Sequence, residues 1–154
     1  MQTSPELMET VDCLCLASRR AARTITSAFD RRLRAHGLRA TQFTLLASLA
    51  LKGEQSVGEL AAFIGVDRTT LTRNMALAEA RGLIESRRAD GDARSRIVAI
   101  TAEGRAVLEA AFASWRDVQA GLTDAMGGEA ADGLRRLATG VVARRGVRSA
   151  PPPR

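Results

Sequence analysis

The chain has 154 residues, 45% of them hydrophobic and 26% charged. That fits one compact domain, or one domain with helical extensions, and excludes wholesale disorder. No stretch approaches the roughly 18 apolar residues that span a bilayer, so no membrane partner is expected. Cys13 and Cys15 alone cannot build a disulfide framework. The segment Met1 to Met8 is polar and carries Glu6, unlike a secretory leader, so a cytoplasmic location is the expectation. The balance is basic: 23 Lys+Arg against 17 Asp+Glu give a formal net charge of +6, and all the basic residues except Lys52 are arginines. Guanidinium forks suit phosphates and guanine edges, although a GC-rich coding sequence gives the same arginine excess whatever the function.

Apolar residues at spacings of three and four predict a first helix over about Glu6 to His36, through Val11, Leu14, Ala21, Ala22, Ile25, Ala28, Phe29 and Leu33. Gly37 follows its end. A helix near 30 residues is long for a small domain and is expected to bury its apolar side against another helix, often that of a second subunit. A second helix is predicted over Ala40 to Leu51, stopped by Gly53. Ser56-Val57-Gly58-Glu59 reads as a capping box opening a short helix, Val57 to Ile64, that ends at Gly65. Asp67 caps the next helix, Arg68 to Arg81, closed by Gly82. Two strands follow, Leu83 to Arg87 and Arg96 to Ile100, joined through the Asp90-Gly91-Asp92 turn. A fifth helix is expected over Ala102 to Leu122, with Val107, Leu108, Ala111, Phe112, Trp115 and Val118 as its apolar positions. Gly127-Gly128 breaks the chain before a last helix, Glu129 to Arg144. The tail, with Pro151-Pro152-Pro153, is expected to be disordered.

The order helix, helix, turn, helix, hairpin over Ala40 to Thr101 predicts a winged helix-turn-helix: a mainly α fold with a small β-hairpin wing and a helical region for dimerisation. In that motif the second helix of the pair enters the major groove of double-stranded DNA. Its outward residues would be Arg68, Thr69, Thr70, Thr72, Arg73 and Asn74, with Leu71 and Met75 turned into the core. Arginine pairs with guanine, asparagine with adenine, and threonine bonds or touches a thymine methyl. A merely solvated face would alternate acid and base, but residues 68 to 74 contain no acid. Around the hairpin tip stand Arg87, Arg88, Arg94 and Arg96, with Asp92 near enough to orient Arg94 for a narrow minor groove. An ordinary charged hairpin balanced by Asp90 and Asp92 would have the same composition.

At these residues the chain resembles the MarR family of bacterial regulators. The resemblance covers about residues 10 to 145. It rests on Gly37-Leu38 before Gln42-Phe43, Ser56-Val57-Gly58-Glu59-Leu60-Ala61, Asp67-Arg68-Thr69-Thr70-Leu71-Thr72-Arg73-Asn74, Glu79-Ala80-Arg81-Gly82-Leu83-Ile84, Asp92-Ala93-Arg94-Ser95 and Ile100-Thr101-Ala102-Glu103-Gly104. It implies a homodimer whose terminal helices interlock and whose winged domains grip a palindromic operator. It also implies Arg94 in the minor groove, with Asp92 as its salt-bridge partner. The expected organisation is a dimerisation helix over 1–37, the winged DNA-binding domain over 38–101, C-terminal dimerisation helices over 102–145 and a disordered tail over 146–154. Such proteins are usually repressors. One departure is visible: where the family often has Ser or Thr capping the second helix, this chain has Arg39, a candidate phosphate contact together with Ser56.

The family also implies release from DNA by a small aromatic ligand, a metal or cysteine oxidation. No metal is expected: His36 is the only histidine, and it is read as a helix-end residue facing the dipole. Cys15 stands where the hydroperoxide-sensing branch keeps its reactive cysteine, and a helix N-terminus favours a thiolate. That branch supports its cysteine with tyrosines, of which this chain has none; the corresponding positions include Arg19, Phe29 and Ala40. Arg19 and Arg20 are the substitutes at hand. Cys13 and Cys15 are expected on opposite sides of one helix, unable to bond to each other, and equally suited to packing in an interface as small apolar residues. Phe29, Phe43, Leu46, Phe112 and Trp115 are the candidate ligand pocket. No cofactor is expected.

Three other readings compete with a regulator. A DNA-coating protein would spread its basic residues over many faces. A winged module for protein contact would carry an apolar outer face on residues 68 to 74. An enzyme would need a phosphate loop, a nucleophile elbow or a metal motif, and none stands out.

Overall fold

The computed structural model describes residues 7, 10–89 and 92–140, except the side chains of residues 92–95. The tail and the centre of the hairpin turn therefore lie outside the described residues. The chain divides into two compact units, residues 1–116 and 117–154.

The first unit opens on a 3-10 turn, Thr10–Asp12, and helix α1, Leu14–Leu33. The single long helix expected from Glu6 to His36 is thus shorter at both ends. Thr10, Val11 and Asp12 are poor helix formers. At the other end Arg34–His36 tightens into a 3-10 turn that closes on Gly37 at φ 67°, a backbone geometry that suits glycine. Cys13 is the N-cap of α1, with extended backbone (φ −61°, ψ 121°). The expectation that Cys13 and Cys15 share a helix is therefore corrected, and with it the reason for holding their sulfurs apart.

Helix α2, Ala40–Lys52, is followed by a two-residue strand β1, Gln55–Ser56, then helix α3, Val57–Ile64, and helix α4, Arg68–Ala80. Strands β2, Ile84–Ala89, and β3, Asp92–Ile100, complete an antiparallel sheet in the order β1-β3-β2. Sequence periodicity cannot show a strand as short as β1; it exists because Gln55 and Ser56 pair with Val98 and Ile97. In the hairpin Ile84 pairs with Ile100 and Arg88 with Arg96, and a bulge follows at Ala89. The core gathers Leu33, Leu38, Phe43, Leu45, Leu46, Leu49, Leu60, Leu71, Met75, Leu83, Val98 and Leu108. Helix α5, Ala102–Met126, leaves this unit, and its first half supplies Leu108, Ala111 and Trp115 to the same core. In the second unit the rest of α5 runs past the expected Leu122 to Gly127, whose φ of 79° ends it, and helix α6 covers Gly128–Ala138. The expected extension to Arg144 lies partly outside the described residues. No described helix is long and apolar enough to cross a membrane.

The junction of sheet and α5 is the tightest point. Thr101 donates its hydroxyl to the Gly82 carbonyl at 2.6 Å and accepts the Gly104 amide at 3.0 Å. A Cβ on Gly104 would stand 2.0 Å from the Leu83 carbonyl oxygen and 2.9 Å from Ile100. Because the first obstacle is backbone, no rotamer change relieves it. Gly104→Ala should destabilise the fold by about 2–3 kcal/mol, the upper range for an overpacked core. Urea unfolding of the two proteins checks this, and an unchanged midpoint would mean that α5 shifts freely on the sheet.

Candidate nucleic-acid interface

The α3–α4 joint is built from chain-local chemistry. Ser56 accepts the Glu59 amide at 3.2 Å, while the Glu59 carboxylate accepts the Ser56 amide at 2.9 Å. The predicted capping box is therefore present. Gly65, at φ 78°, ends α3, with its amide and that of Val66 both donating to the Ala61 carbonyl. Asp67 then caps α4: Oδ1 accepts the Thr70 amide at 2.8 Å and Oδ2 the Thr70 hydroxyl at 2.7 Å.

Helix α4 turns Leu71, Met75 and Ala78 inward, at 1%, 2% and 0% exposure. Of the candidate DNA-reading residues, Arg68, Thr69, Thr70, Thr72 and Arg73 are exposed and Asn74 half-buried. They are not equivalent. Thr70 is engaged in the cap, and the Thr72 hydroxyl donates back to the Arg68 carbonyl at 2.7 Å. Arg68 lies over Gly58, where a Cβ would stand 2.7 Å from Nη2. Thr69, Arg73 and Asn74 have no such side-chain bond among the described residues.

The wing shows the same sorting. Arg87 pairs with Glu54 at 2.8 Å. Arg96 pairs with Glu79 at 3.0 Å, and Ser86 joins both of them by hydrogen bonds. Arg88 is exposed. The side chains of Asp92 and Arg94 lie outside those described, and so does their expected salt bridge. Glu54 and Glu79 were not singled out in the sequence. Glu54 is exposed and Glu79 half-buried; strand pairing brings Arg87 to Glu54, and the packing of α4 on β2 brings Glu79 to Ser86 and Arg96. Ser56 is used as a cap, its hydroxyl oxygen accepting the Glu59 amide.

At the start of α2, Arg39 is the N-cap but has no lone pair to offer a helix amide. The cap comes from α1 instead: Asp30 Oδ1 accepts the Ala40 amide at 2.7 Å. Gln42 Oε1 accepts the Arg39 amide at 3.0 Å. His36 does end a helix, as expected, but its Nε2 also shares a 2.9 Å hydrogen bond with the Ser114 hydroxyl of α5. Both cysteines are exposed, and among the described residues no hydrogen bond joins their side chains to Arg19 or Arg20.

The candidate ligand residues divide. Phe43 stacks on Trp115 with ring centroids 5.8 Å apart and planes 10° apart, and Phe112 tilts against both. Phe29, Phe43 and Trp115 line one small cavity of about 70 Å³ with Leu33, Ala40 and Thr44. Leu46 does not line it. It is fully buried in the core. Phe112 stays outside the cavity wall and is 41% exposed.

The two caps make the motif sensitive to acid. The bond from the Thr70 amide, then that from its hydroxyl, holds the Asp67 carboxyl below its ordinary 3.8. The Ser56 hydroxyl, then its amide, holds Glu59 below 4.5. A carboxylate with a lowered value contributes stability that is complete above the ordinary value and is lost as pH falls through the folded one. The stability gap between the wild type and Asp67→Ala should therefore be constant near neutrality and close below about pH 4. Urea unfolding across pH measures it. A gap that persists in acid would mean that the cap does not use the ionised carboxylate.

Comparison with known proteins agrees with this geometry. Residues 36–95 match the MarR family model. The Mycobacterium tuberculosis transcriptional regulator MosR, solved in complex with DNA, is 41% identical, with 86% of this chain and 98% of that one covered at a TM-score of 0.75. A second MosR structure is 38% identical, covering 87% and 98% at a TM-score of 0.76. A probable transcriptional regulator from Pseudomonas aeruginosa is 26% identical over 86% and 96%, at a TM-score of 0.72. No curated protein matches the chain.

Proposed function

The chain belongs to the MarR family of transcriptional regulators, and we propose that it acts as a homodimeric repressor that reads a palindromic operator and is released by oxidation or by a small aromatic ligand. The observation that carries the DNA reading is the outer face of α4. It is free of acid over residues 68 to 74 and exposed except for the half-buried Asn74, and Thr69, Arg73 and Asn74 make no side-chain hydrogen bond or ion pair among the described residues. Arg73 and Asn74 recognise guanine and adenine edges. Arg88 and Arg94 of the wing contact the flanking backbone or minor groove, with Arg87 and Arg96 oriented beside them, and Ser56 bonds a phosphate.

Dimerisation is supported by apolar side chains left in water at both ends of the chain. Val11 and Leu14 are 58% and 85% exposed near the start of α1, and Leu134 and Leu137 are 41% and 57% exposed on α6. Such surfaces mark a contact with another protein surface, and a two-fold dimer places two α4 helices on two half-sites about one DNA turn apart. The domains would then divide as expected, with the winged domain over 38–101 between dimerisation helices. The cytoplasm is the fitting location.

For release, the exposed thiols of Cys13 and Cys15 support oxidation, which needs access. Peroxide converts a thiol to a sulfenic acid and water, and a second thiol condenses with it to a disulfide, losing another water. The aromatic cavity, about 70 Å³, is below the roughly 300 Å³ of an ordinary ligand site. A ring can enter only if Phe43 and Trp115 part.

The test is binding to the DNA upstream of the chain's own gene, with competitor DNA, at two salt concentrations. Arg73→Ala should lose about 1–3 kcal/mol at one or two bases and relax sequence preference there. Arg94→Ala should weaken binding to all sequences and flatten the salt dependence by about one phosphate contact. If neither variant differs from the wild type, α4 and the wing are not the DNA surface, and a coating or protein-contact role returns. Peroxide should release the operator from the wild type reversibly, with thiol restoring it, and Cys15→Ser should hold its operator in peroxide. A wild type indifferent to peroxide would leave the aromatic ligand as the signal.

A further inference from the structure

A second cavity of the first unit is larger than the aromatic one. It has a volume of about 410 Å³ and is lined by Asp30, Arg34, Gly37, Arg39, Gln42 and Arg81. That size is ordinary for a small-molecule site, and its wall is unusual in charge: three guanidiniums and one carboxylate. Arg81 donates to the Gly37 carbonyl. The guanidiniums of Arg34 and Arg39 have no hydrogen-bond or ion-pair partner among the described residues. Asp30 makes no ion pair with them among the described residues, and its Oδ1 accepts the Ala40 amide. The opening turn of α2 lies beside the cavity, and its N-cap, Arg39, cannot accept from the first-turn amides. Helix-start amides favour negative charge.

Three positive groups and one negative leave the wall at +2, from three segments of chain: the end of α1, the start of α2 and the end of α4. We propose that this cavity is a binding site for a small doubly charged oxyanion, a phosphate ester or a dicarboxylate, held by Arg34, Arg39 and Arg81. Planar guanidiniums meet phosphate and carboxylate oxygens two at a time. The anion is not the DNA backbone. Arg81 follows the C-terminus of α4, and 13 residues at about 1.5 Å each place it about 20 Å from the end that enters the groove. That last step rests on the reading of α4 as the DNA-entering helix; the existence of the site does not. A bound dianion would tie the α1–α2 corner to the far end of the same helix.

Thermal unfolding of the full chain without DNA tests the site independently of any operator. Inorganic phosphate, malonate and acetate are added in turn at fixed ionic strength, with chloride as the reference. The comparison is with Arg34→Gln/Arg39→Gln, whose two side chains are exposed and are not part of the core. The wild type should gain about 3–6 °C at ten times the dissociation constant, and the double variant should gain no more than the general salting effect of the anion. Stabilisation by phosphate alone identifies a phosphate ester, and by malonate alone a dicarboxylate. Acetate equal to malonate would overturn the double charge. The same gain in wild type and variant, or no gain with either dianion, would overturn the site. Failure of Arg73→Ala to alter DNA binding would leave this result untouched.

Discussion

Everything the interface offers depends on three buried side chains of one helix. Leu71, Met75 and Ala78 recur at spacings of four and three, so they share one face of α4 and are almost wholly removed from water. Locking that face fixes the rotation of the helix, and rotation decides which residues point outward. Asp67 fixes where the helix begins. Glu79, on its last turn, fixes the wing by holding Arg96 and Ser86. Helix and wing are thereby coupled through a single acid, and a change in the seat of α4 would carry the wing with it.

The arginines show how one residue type is put to different uses by its neighbours. Arg87 and Arg96 are ion-paired, Arg81 binds a backbone carbonyl, Arg68 lies over a glycine, and Arg34 and Arg39 share a cavity. A surface pair such as Arg87 with Glu54, each about half exposed, contributes only about 0–1 kcal/mol. Exchanging Glu54 for a DNA phosphate would therefore cost little, so the ion pair aims the guanidinium without withholding it. Net charge alone could not distinguish these uses.

The joint was legible in the sequence because its determinants are local. Ser56 with Glu59, Gly65 and Asp67 act within four residues of their partners, and the helices they start and stop agree with the expected bounds to within a residue. The hidden features are those made by distant segments meeting. Strand β1 exists only through Val98 and Ile97. Glu54 acquires its partner through strand pairing, and Glu79 through the packing of α4 on β2. Asp30 caps a helix that begins ten residues later, across a corner. Leu46 is buried in the core and does not line the aromatic cavity: periodicity shows that a residue faces inward, but not whether a void or another side chain meets it there.

The position that departs from the family pattern has a physical explanation. With Arg39 in place of a hydroxyl residue, α2 loses its own cap, and Asp30 supplies one from α1. The substitution adds a cation to the wall, and Asp30, which keeps its charge while it accepts the Ala40 amide, leaves that wall at +2. Two cavities of opposite chemistry now flank the start of α2. One is apolar and small, with Phe43 and Trp115 in its wall; the other is polar and larger. Because α2 packs directly on α4, a ligand entering either one would act on the same helix, and through it on the face proposed to read DNA. Signals of unlike chemistry could thus reach one output without a separate path for each.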